Sequence, residues 1–575
     1  MNDRWITDWL PSKRWPHYTR ANAGEVLPEP TTPLGWTYGW EGAMLLGWAD
    51  GYVRQGSFSP GELDPERPEI AAIFGGYLYV NLSANRLLAV RNPLVTVEQF
   101  DRAFFGDHPD VPAYVPHPDD ENPELSQKIM AHLGWLTSDA EWPELLADRD
   151  EVAALREARP DLTTLSDEEL VHRARWLQPI LRRLWEKHPL ATGGAGLASG
   201  ILGAVSAAVG IPEVAVEIMA SLGDVDSAAP SLAIWEMTRL VRRSALLTGE
   251  FDAGVPGLLE RLEGSEAEDA AGFLAAWHQF SRDFGSRGPN EWDLASETWE
   301  TRPELALATI AAVRRQDDAD SPQVRQRQAA TRRTEAIDKL RQGVSGQAEL
   351  AAQLEAGLNA LRCVAWRERT KTNVIRALHE ARMVFRELGR RAAAAGSLTD
   401  PGHVFMLLDG ELEAFAAEPG SFTSDLTDRA RGYDELRTLD PPFIIADGNV
   451  EPLTRWPRRE KTLAPAGAAG DVLTGVTGCG GTATGRARIV FRAEDCEALE
   501  PGDILVAPFT DVAWTPLFMA AAAVVVEVGG QVSHAMIVCR ELGLPCVVSV
   551  TAATRRIADG ATVTVNGSTG SVTIA

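Results

Sequence analysis

The apolar pattern of this 575-residue chain changes period once, and that change constrains the fold more than any other feature. Up to residue 455 the chain reads as mainly helical. ELAAQLEAGLNALR sets Leu350, Leu354, Leu358 and Leu361 along one helix face. TNVIRALHEARMVFRELGRRAAAAG continues with Val374, Leu378, Val384, Phe385 and Leu388, then basic residues and Gly396, a helix stop. Such stripes read as core packing. A stretch rich in Pro, Gly and Ala follows, WPRREKTLAPAGAAGD (456–471), which reads as a linker. Fully extended it would span roughly 50 Å, and its prolines stiffen it in part. Beyond it the runs are short and β-rich: ARIVF (487–491), DILVAPF (503–509), AAAVVVEV (521–528) and PCVVSV (545–550). VTVNGSTGSVTI closes as a hairpin, with Asn566-Gly567 among its turn residues. Helical pieces are expected around Ala493–Leu499, around Thr515–Ala520 and after His534.

The expected fold class is therefore multidomain: a mainly α N-terminal region (1–455), a linker (456–471) and a C-terminal α/β module (472–575). The first hundred residues differ from the rest of their region. TPLGWTYGW, GGYLYVNLS and RNPLVTV mix aromatic and β-branched residues with turn signals, which predicts a small β-containing portion.

Bulk properties exclude several classes. A net charge of −26 argues against nucleic acid and against an anionic membrane surface. The five cysteines, Cys363, Cys479, Cys496, Cys539 and Cys546, form no CxxC pair and no even disulfide framework, which fits a reducing cytoplasm. MNDRWITDWLPSKRWPHYTR lacks the apolar core of a signal peptide. The apolar, glycine-laden GGAGLASGILGAVSAAVG (193–210) reads as a buried helix pair or close-packed loop rather than a membrane span.

The chemistry centres on GGQVSHAMIVCRELGLPCVVSV (529–550). A buried-type strand leads to Gly529-Gly530, Ser533 is placed to cap a helix, and His534 is its first residue. Unpaired N–H groups and the positive end of the dipole favour an anion there. The glycines permit close backbone approach. A neutral imidazole is a competent nucleophile, and a phosphoramidate formed on it can pass its phosphoryl group onward. Capping or hydrogen bonding is the simpler role for a lone histidine at this position. No metal site is predicted, because no His, Cys or carboxylate lies at ligand spacing nearby.

The segment resembles the phosphohistidine motif of the phosphoenolpyruvate-utilising family, whose members include phosphoenolpyruvate synthase, pyruvate phosphate dikinase and rifampin phosphotransferase. The likeness extends through GRARIV, PGDILVAPFTD and WTPLF, and departs at Met536, Cys539 and Ser549. It implies a swivelling domain with His534 phosphorylated and Gly529, Gly530 and Ser533 forming the phosphate loop. Cys479, where many relatives carry serine, reads as a packed thiol. TRANAGEVLPEPTTPLGWT (19–37), FGSRGPNEWDLASETW (284–299) and RERTK (367–371) resemble an acceptor-binding region of the same family. That likeness implies that Arg367 and Lys371, four apart on one helix, grip the transferring phosphoryl group. It also implies that Arg287, Glu291 and Asp293 line the acceptor site; solvated charges or structural ion pairs are the alternative for all five.

The chain shows no GxxxxGK[ST] loop, and no ATP-grasp-like or pyruvate-barrel segment is recognised in it. The expectation is a split enzyme resembling phenylphosphate synthase and the cresol-phosphorylating enzymes. A separate ATP-grasp subunit, using ATP and Mg2+, would load His534, and this chain alone would bind no cofactor. The acceptor would be a small aromatic hydroxyl compound, a phenol or cresol. Transfer needs a general base, for which His17, His379 and His403 are candidates no stronger than core histidines. A phosphocarrier that passes phosphate to another protein, and a component of a rifamycin-type antibiotic phosphotransferase, are the alternative readings.

Overall fold

Trp36, Tyr38, Trp40 and Met44 are all buried, and they set the character of the N-terminal region. The computed structural model describes residues 3–105, 110–318, 321–459, 467–493, 499–515, 517–530 and 533–575. The chain divides into two interleaved units. The first comprises Met1–Gly193, Asn290–Ser296 and Arg369–Thr462; the second comprises Gly194–Pro289, Glu297–Glu368 and Leu463–Ala575.

In the first unit, TPLGWTYGW is helical, against the expectation of strand. Gly35–Met44 forms a π-helix that runs into the α-helix Leu45–Gln55. The aromatic side chains find partners at helical spacing, and that packing overrides their β propensity. RNPLVTV likewise leads into a helix, Val97–Phe105. GGYLYVNLS does supply a strand. The antiparallel sheet has the order β2-β3-β1-β4, built from β1 (Tyr18–Thr19), β2 (Ala71–Phe74), β3 (Tyr77–Asn81) and β4 (Ile444–Ile445). Gly75 and Gly76, at φ 58° and 75°, make the β2–β3 turn. Val374, Leu378, Val384, Phe385 and Leu388 of helix Arg362–Ala394 are buried in the same core as Trp36 and Trp40, as the stripe predicts.

The run 193–210 forms neither a helix pair nor a loop. Most of it belongs to one helix, Asp167–Ala208, with Pro179 and Pro189 inside. By length and composition this is the one helix among the described residues long and apolar enough to cross a membrane. In the second unit its Ala198, Leu202 and Val205 pack with Val214, Ile218, Ala336, Leu340 and Leu354.

The second unit carries the C-terminal α/β fold. Its eight strands are β5 (Val472–Thr474), β6 (Val476–Cys479), β7 (Thr482–Ile489), β8 (Ile504–Ala507), β9 (Ala523–Val526), β10 (Cys546–Val548), β11 (Thr562–Asn566) and β12 (Ser571–Ile574), in the order β5-β12-β11-β7-β8-β9-β10-β6. The run β7-β8-β9-β10 is parallel, and its inner strands ILVA, AVVV and CVV are buried throughout, as parallel strands covered on both faces must be. β11 and β12 form the closing hairpin. Around Thr515–Ala520 the chain makes short 3-10 turns, Val512–Trp514 and Leu517–Met519, in place of a helix. Residues 494–498 of the piece expected at Ala493–Leu499, and Cys496 with them, lie outside the described residues. Both ends of the expected linker are tied down. Trp456 is buried, and Gly467 and Gly470 donate to the carbonyls of Arg556 (2.7 Å) and Ile574 (2.8 Å). Residues 460–466 lie outside the described set.

Candidate functional site

β9 delivers the chain to Gly529-Gly530, and the helix His534–Leu542 begins four residues on. Gly543, left-handed at φ 65°, ends it, and the Leu544 N–H donates back to the Cys539 carbonyl at 2.9 Å. Ala535, Met536, Val538, Cys539 and Leu542 pack into one core with β8, β9 and β10 residues, which fixes the helix and leaves His534 half-buried at its start.

Both ring nitrogens of His534 are held. Thr510 Oγ1 lies 3.2 Å from Nδ1 and Thr515 Oγ1 lies 2.9 Å from Nε2. The Phe518 ring sits 5.9 Å away, tilted by 47°. A neutral imidazole has one donor and one acceptor nitrogen, and a hydroxyl can serve either. The two threonines can therefore hold the ring in either tautomer. They come from the two segments that follow β8: Thr510 directly, and Thr515 at the end of a 3-10 turn capped by Asp511, whose Oδ1 accepts the Ala513 N–H at 3.0 Å. Sequence reasoning quoted PGDILVAPFTD and WTPLF without giving either threonine a role. No local pattern marks either threonine; only the fold brings them to the ring.

Ser533 occupies the N-cap position with extended backbone, φ −67° and ψ 159°, but its hydroxyl makes no capping hydrogen bond. That hydroxyl is buried and unpartnered among the described residues. A Cβ on Gly529 would meet it at 3.0 Å, whereas one on Gly530 would meet nothing within 4 Å. The turn is thus tight at Gly529 and open at Gly530. S533A should change the thermal midpoint very little, because a hydroxyl that bonds nothing stabilises nothing; its removal costs less than about 0.5 kcal/mol. A capping loss of about 1 kcal/mol would contradict this placement.

The other predicted site residues fall into two groups. In the first unit Lys371 Nζ pairs with Glu291 at 3.4 Å and lies 5.8 Å over the Trp292 ring. Asp293 accepts from the Thr32 N–H at 2.8 Å, the Thr32 hydroxyl and the Ala295 N–H at 2.9 Å, so both its oxygens are engaged. Burial pushes its carboxyl up, and those donors and Arg382 pull it back. In the second unit Arg367 pairs with Glu368, and the Arg287 carbonyl accepts the Trp299 N–H at 2.8 Å. Arg287, Glu291 and Asp293 are buried, which removes solvated surface charge as their explanation. Arg367 and Lys371 share the helix Arg362–Ala394 but belong to different units.

His17 Nδ1 accepts the Asp447 N–H at 3.0 Å, His379 is fully buried beside Arg382, and His403 lies 3.4 Å from the Thr399 hydroxyl. Burial pushes the Cys479 thiol up to about 12, which keeps it protonated. Among the described residues no group of three His, Cys, Asp or Glu side chains is placed to hold a metal ion.

Residues 188–368 match the family described as rifampicin phosphotransferase fourth domain, and residues 499–570 match the mobile domain of PEP-utilising enzymes. An uncharacterised protein of Mycobacterium tuberculosis is 38% identical over 289 residues, 50% of this chain and 30% of its own length. The rifampicin phosphotransferase of Streptomyces sviceus is 31% identical over 333 residues, 56% of this chain and 35% of its own. That of Bacillus subtilis is 28% identical over 318 residues, 54% of this chain and 35% of its own. The chain spans about a third of the length of these relatives.

Proposed function

We propose that His534 carries a phosphoryl group to a small hydroxyl-bearing acceptor, a reading supported by the matches to the rifampicin phosphotransferase fourth domain and to the mobile domain of PEP-utilising enzymes. The observation that carries this reading is the half-buried imidazole at a helix start with a threonine hydroxyl on each ring nitrogen. A ring nitrogen attacks the donor phosphorus, an N–P bond forms and the P–O bond to the donor breaks. The acceptor oxygen then attacks the same phosphorus, the N–P bond breaks and the hydroxyl proton passes to a base. While one nitrogen is phosphorylated, the other bears its proton and donates it to its threonine. The threonine released from the phosphorylated nitrogen is left to donate to a phosphoryl oxygen. The helix N–H groups favour the added negative charge, and the Ser533 hydroxyl, unpartnered among the described residues, is the donor in the turn left over to serve it.

In this reading ATP and Mg2+ act on an ATP-grasp-type subunit that loads His534, and Arg367 and Lys371 steady the group in transfer. Neither nucleic acid nor membrane is a partner, and the setting is cytoplasmic. A phenol or cresol is the first acceptor class. Lys371 and Glu291 sit beside the buried rings of Trp292, Trp185 and Trp40, an aromatic environment compatible with an aromatic alcohol if the core opens to admit one. A rifamycin-type acceptor is the second reading, favoured by the match over 188–368.

The test is intact mass at non-acidic pH after incubation with phenyl and cresyl phosphates. Uptake of one phosphoryl group supports the aryl acceptor. No uptake from these esters, with discharge of the nucleotide-loaded protein by rifampicin, replaces it with the second reading. T515V should slow phosphoryl uptake by about tenfold, the worth of one positioned hydrogen bond, while the protein stays folded; an unchanged rate means the Thr515 contact does not orient the ring.

A further inference from the structure

The C-terminal end of the histidine helix is tied as firmly as its start. Glu541, in its last turn, is 2% exposed. Its two oxygens accept the backbone N–H groups of Leu222 at 2.8 Å and Gly223 at 3.1 Å. Beside them the Ser221 N–H donates to the Arg540 carbonyl at 3.0 Å, and the Ser221 hydroxyl donates to the Gln326 carbonyl at 3.1 Å. All these residues lie in the second unit.

The loop that meets Glu541 has an unusual backbone. Ser221, Gly223 and Asp224 have φ of 48°, 72° and 48°. Glycine adopts this region freely, whereas Ser221 and Asp224 are strained in it. Left-handed residues alternating along a short segment turn successive N–H groups to one side and make a concavity for an anion. Here the concavity is filled by a carboxylate from another part of the chain. His534, Ile537 and Glu541 are spaced to share one helix face. Ile537 and Glu541 line a narrow cleft with Met219, Leu222, Leu361 and Val364. The helix face that carries His534 is therefore the face turned to this part of the 188–368 region.

We propose that Glu541 and the loop 221–224 form a docking latch, which holds the histidine helix on the helical part of its own unit and must open before that helix can leave. The latch depends on two packed elements and stands whether or not His534 takes a phosphoryl group. It is built to be released. Burial raises the Glu541 carboxyl above its usual range in spite of the two N–H groups and Arg333, so part of the gain from its hydrogen bonds is offset by desolvation. The strained turn adds a second opposing contribution, relieved when the carboxylate departs.

Amide hydrogen exchange on the full chain tests this. E541A should raise exchange at Leu222 and Gly223 by about tenfold or more, the effect of removing a charged acceptor from two buried donors. E541Q, which keeps one acceptor oxygen, should fall between. The strands β8 and β9 should keep their protection in both variants. If E541A unfolds those strands, G223V still reads the latch from the other side, since the position has space for a side chain but not the backbone freedom. It should expose the histidine helix to exchange while β8 and β9 stay protected. In the double variant the two effects should be less than additive, because each removes the same contact. Exchange at Leu222 and Gly223 within twofold of wild type in E541A, or full additivity, would overturn the latch.

Discussion

H534N should take up no phosphoryl group from any donor, and its exchange between an aryl phosphate and the free phenol should fall to the background rate. Asparagine places an amide where Nδ1 lies, so it can keep a hydrogen bond to Thr510 and preserve the helix start. It offers no nucleophilic nitrogen, because the amide lone pair is delocalised. The loss is thus confined to chemistry. A covalent route needs the atom that forms the bond, and no neighbouring group substitutes for it. Intact mass at neutral pH and exchange of labelled phenol read the result directly. Uptake by H534N at the wild-type level would mean that the phosphoryl group sits elsewhere, and the threonine-held imidazole would then be a structural cap. The variant should melt within about 1 kcal/mol of the wild type, which separates a dead site from an unfolded domain.

R382M is expected to have the largest effect on stability. Arg382 is fully buried and donates to three main-chain carbonyls, those of Glu291 (2.7 Å), Asp293 (3.0 Å) and Leu294 (3.1 Å). It lies 3.1 Å from His379 Nδ1 as well. These bonds pin the segment Asn290–Ser296 to helix Arg362–Ala394 within the first unit. Methionine fills similar space but leaves the carbonyls without donors. The cost should be about 3–5 kcal/mol, and the melting midpoint of that unit should drop by several degrees. R382K should recover only part of the loss, because an ammonium cannot reproduce the planar fork that serves three acceptors. Lys371 should also lose its ordered pairing with Glu291, so if these two take the proposed acceptor role, R382M should weaken acceptor binding more than it slows loading of His534. An unchanged midpoint would show that the segment is held by its other contacts, chiefly Asp293 with Thr32.

The α/β fold was legible because each of its signals is local. Strand runs such as ILVA and AVVV are short, apolar and bounded by turns, and the helix after His534 is marked by a capping position and by Gly543. The sequence could not supply Thr510 and Thr515. They are nineteen or more residues from His534 in the chain, and only the parallel pairing of β8 with β9 brings them to the ring. TPLGWTYGW misled for a related reason. Its β propensity is real, but burial of Trp36 and Trp40 among partners distant in sequence decides its conformation. Glu541 and Asp293 look like ordinary charged residues until the backbone amides that face them are in place. Arg287, Glu291 and Asp293 are singled out by resemblance alone, and no periodicity or spacing marks them as buried.

The interleaving of the two units bears on how the protein is made. The first unit needs residues up to Thr462, yet the helical parts of the second, Gly194–Pro289 and Glu297–Glu368, are synthesised before then. A nascent chain must therefore hold an unfinished first unit open while much of the second emerges, and must then return to complete it. Such an order of synthesis does not match the simplest case, in which each domain folds as it emerges. No single truncation releases either unit as one continuous piece; separate expression would need Gly193 joined to Asn290 and Ser296 to Arg369 for the first, and Pro289 joined to Glu297 and Glu368 to Leu463 for the second.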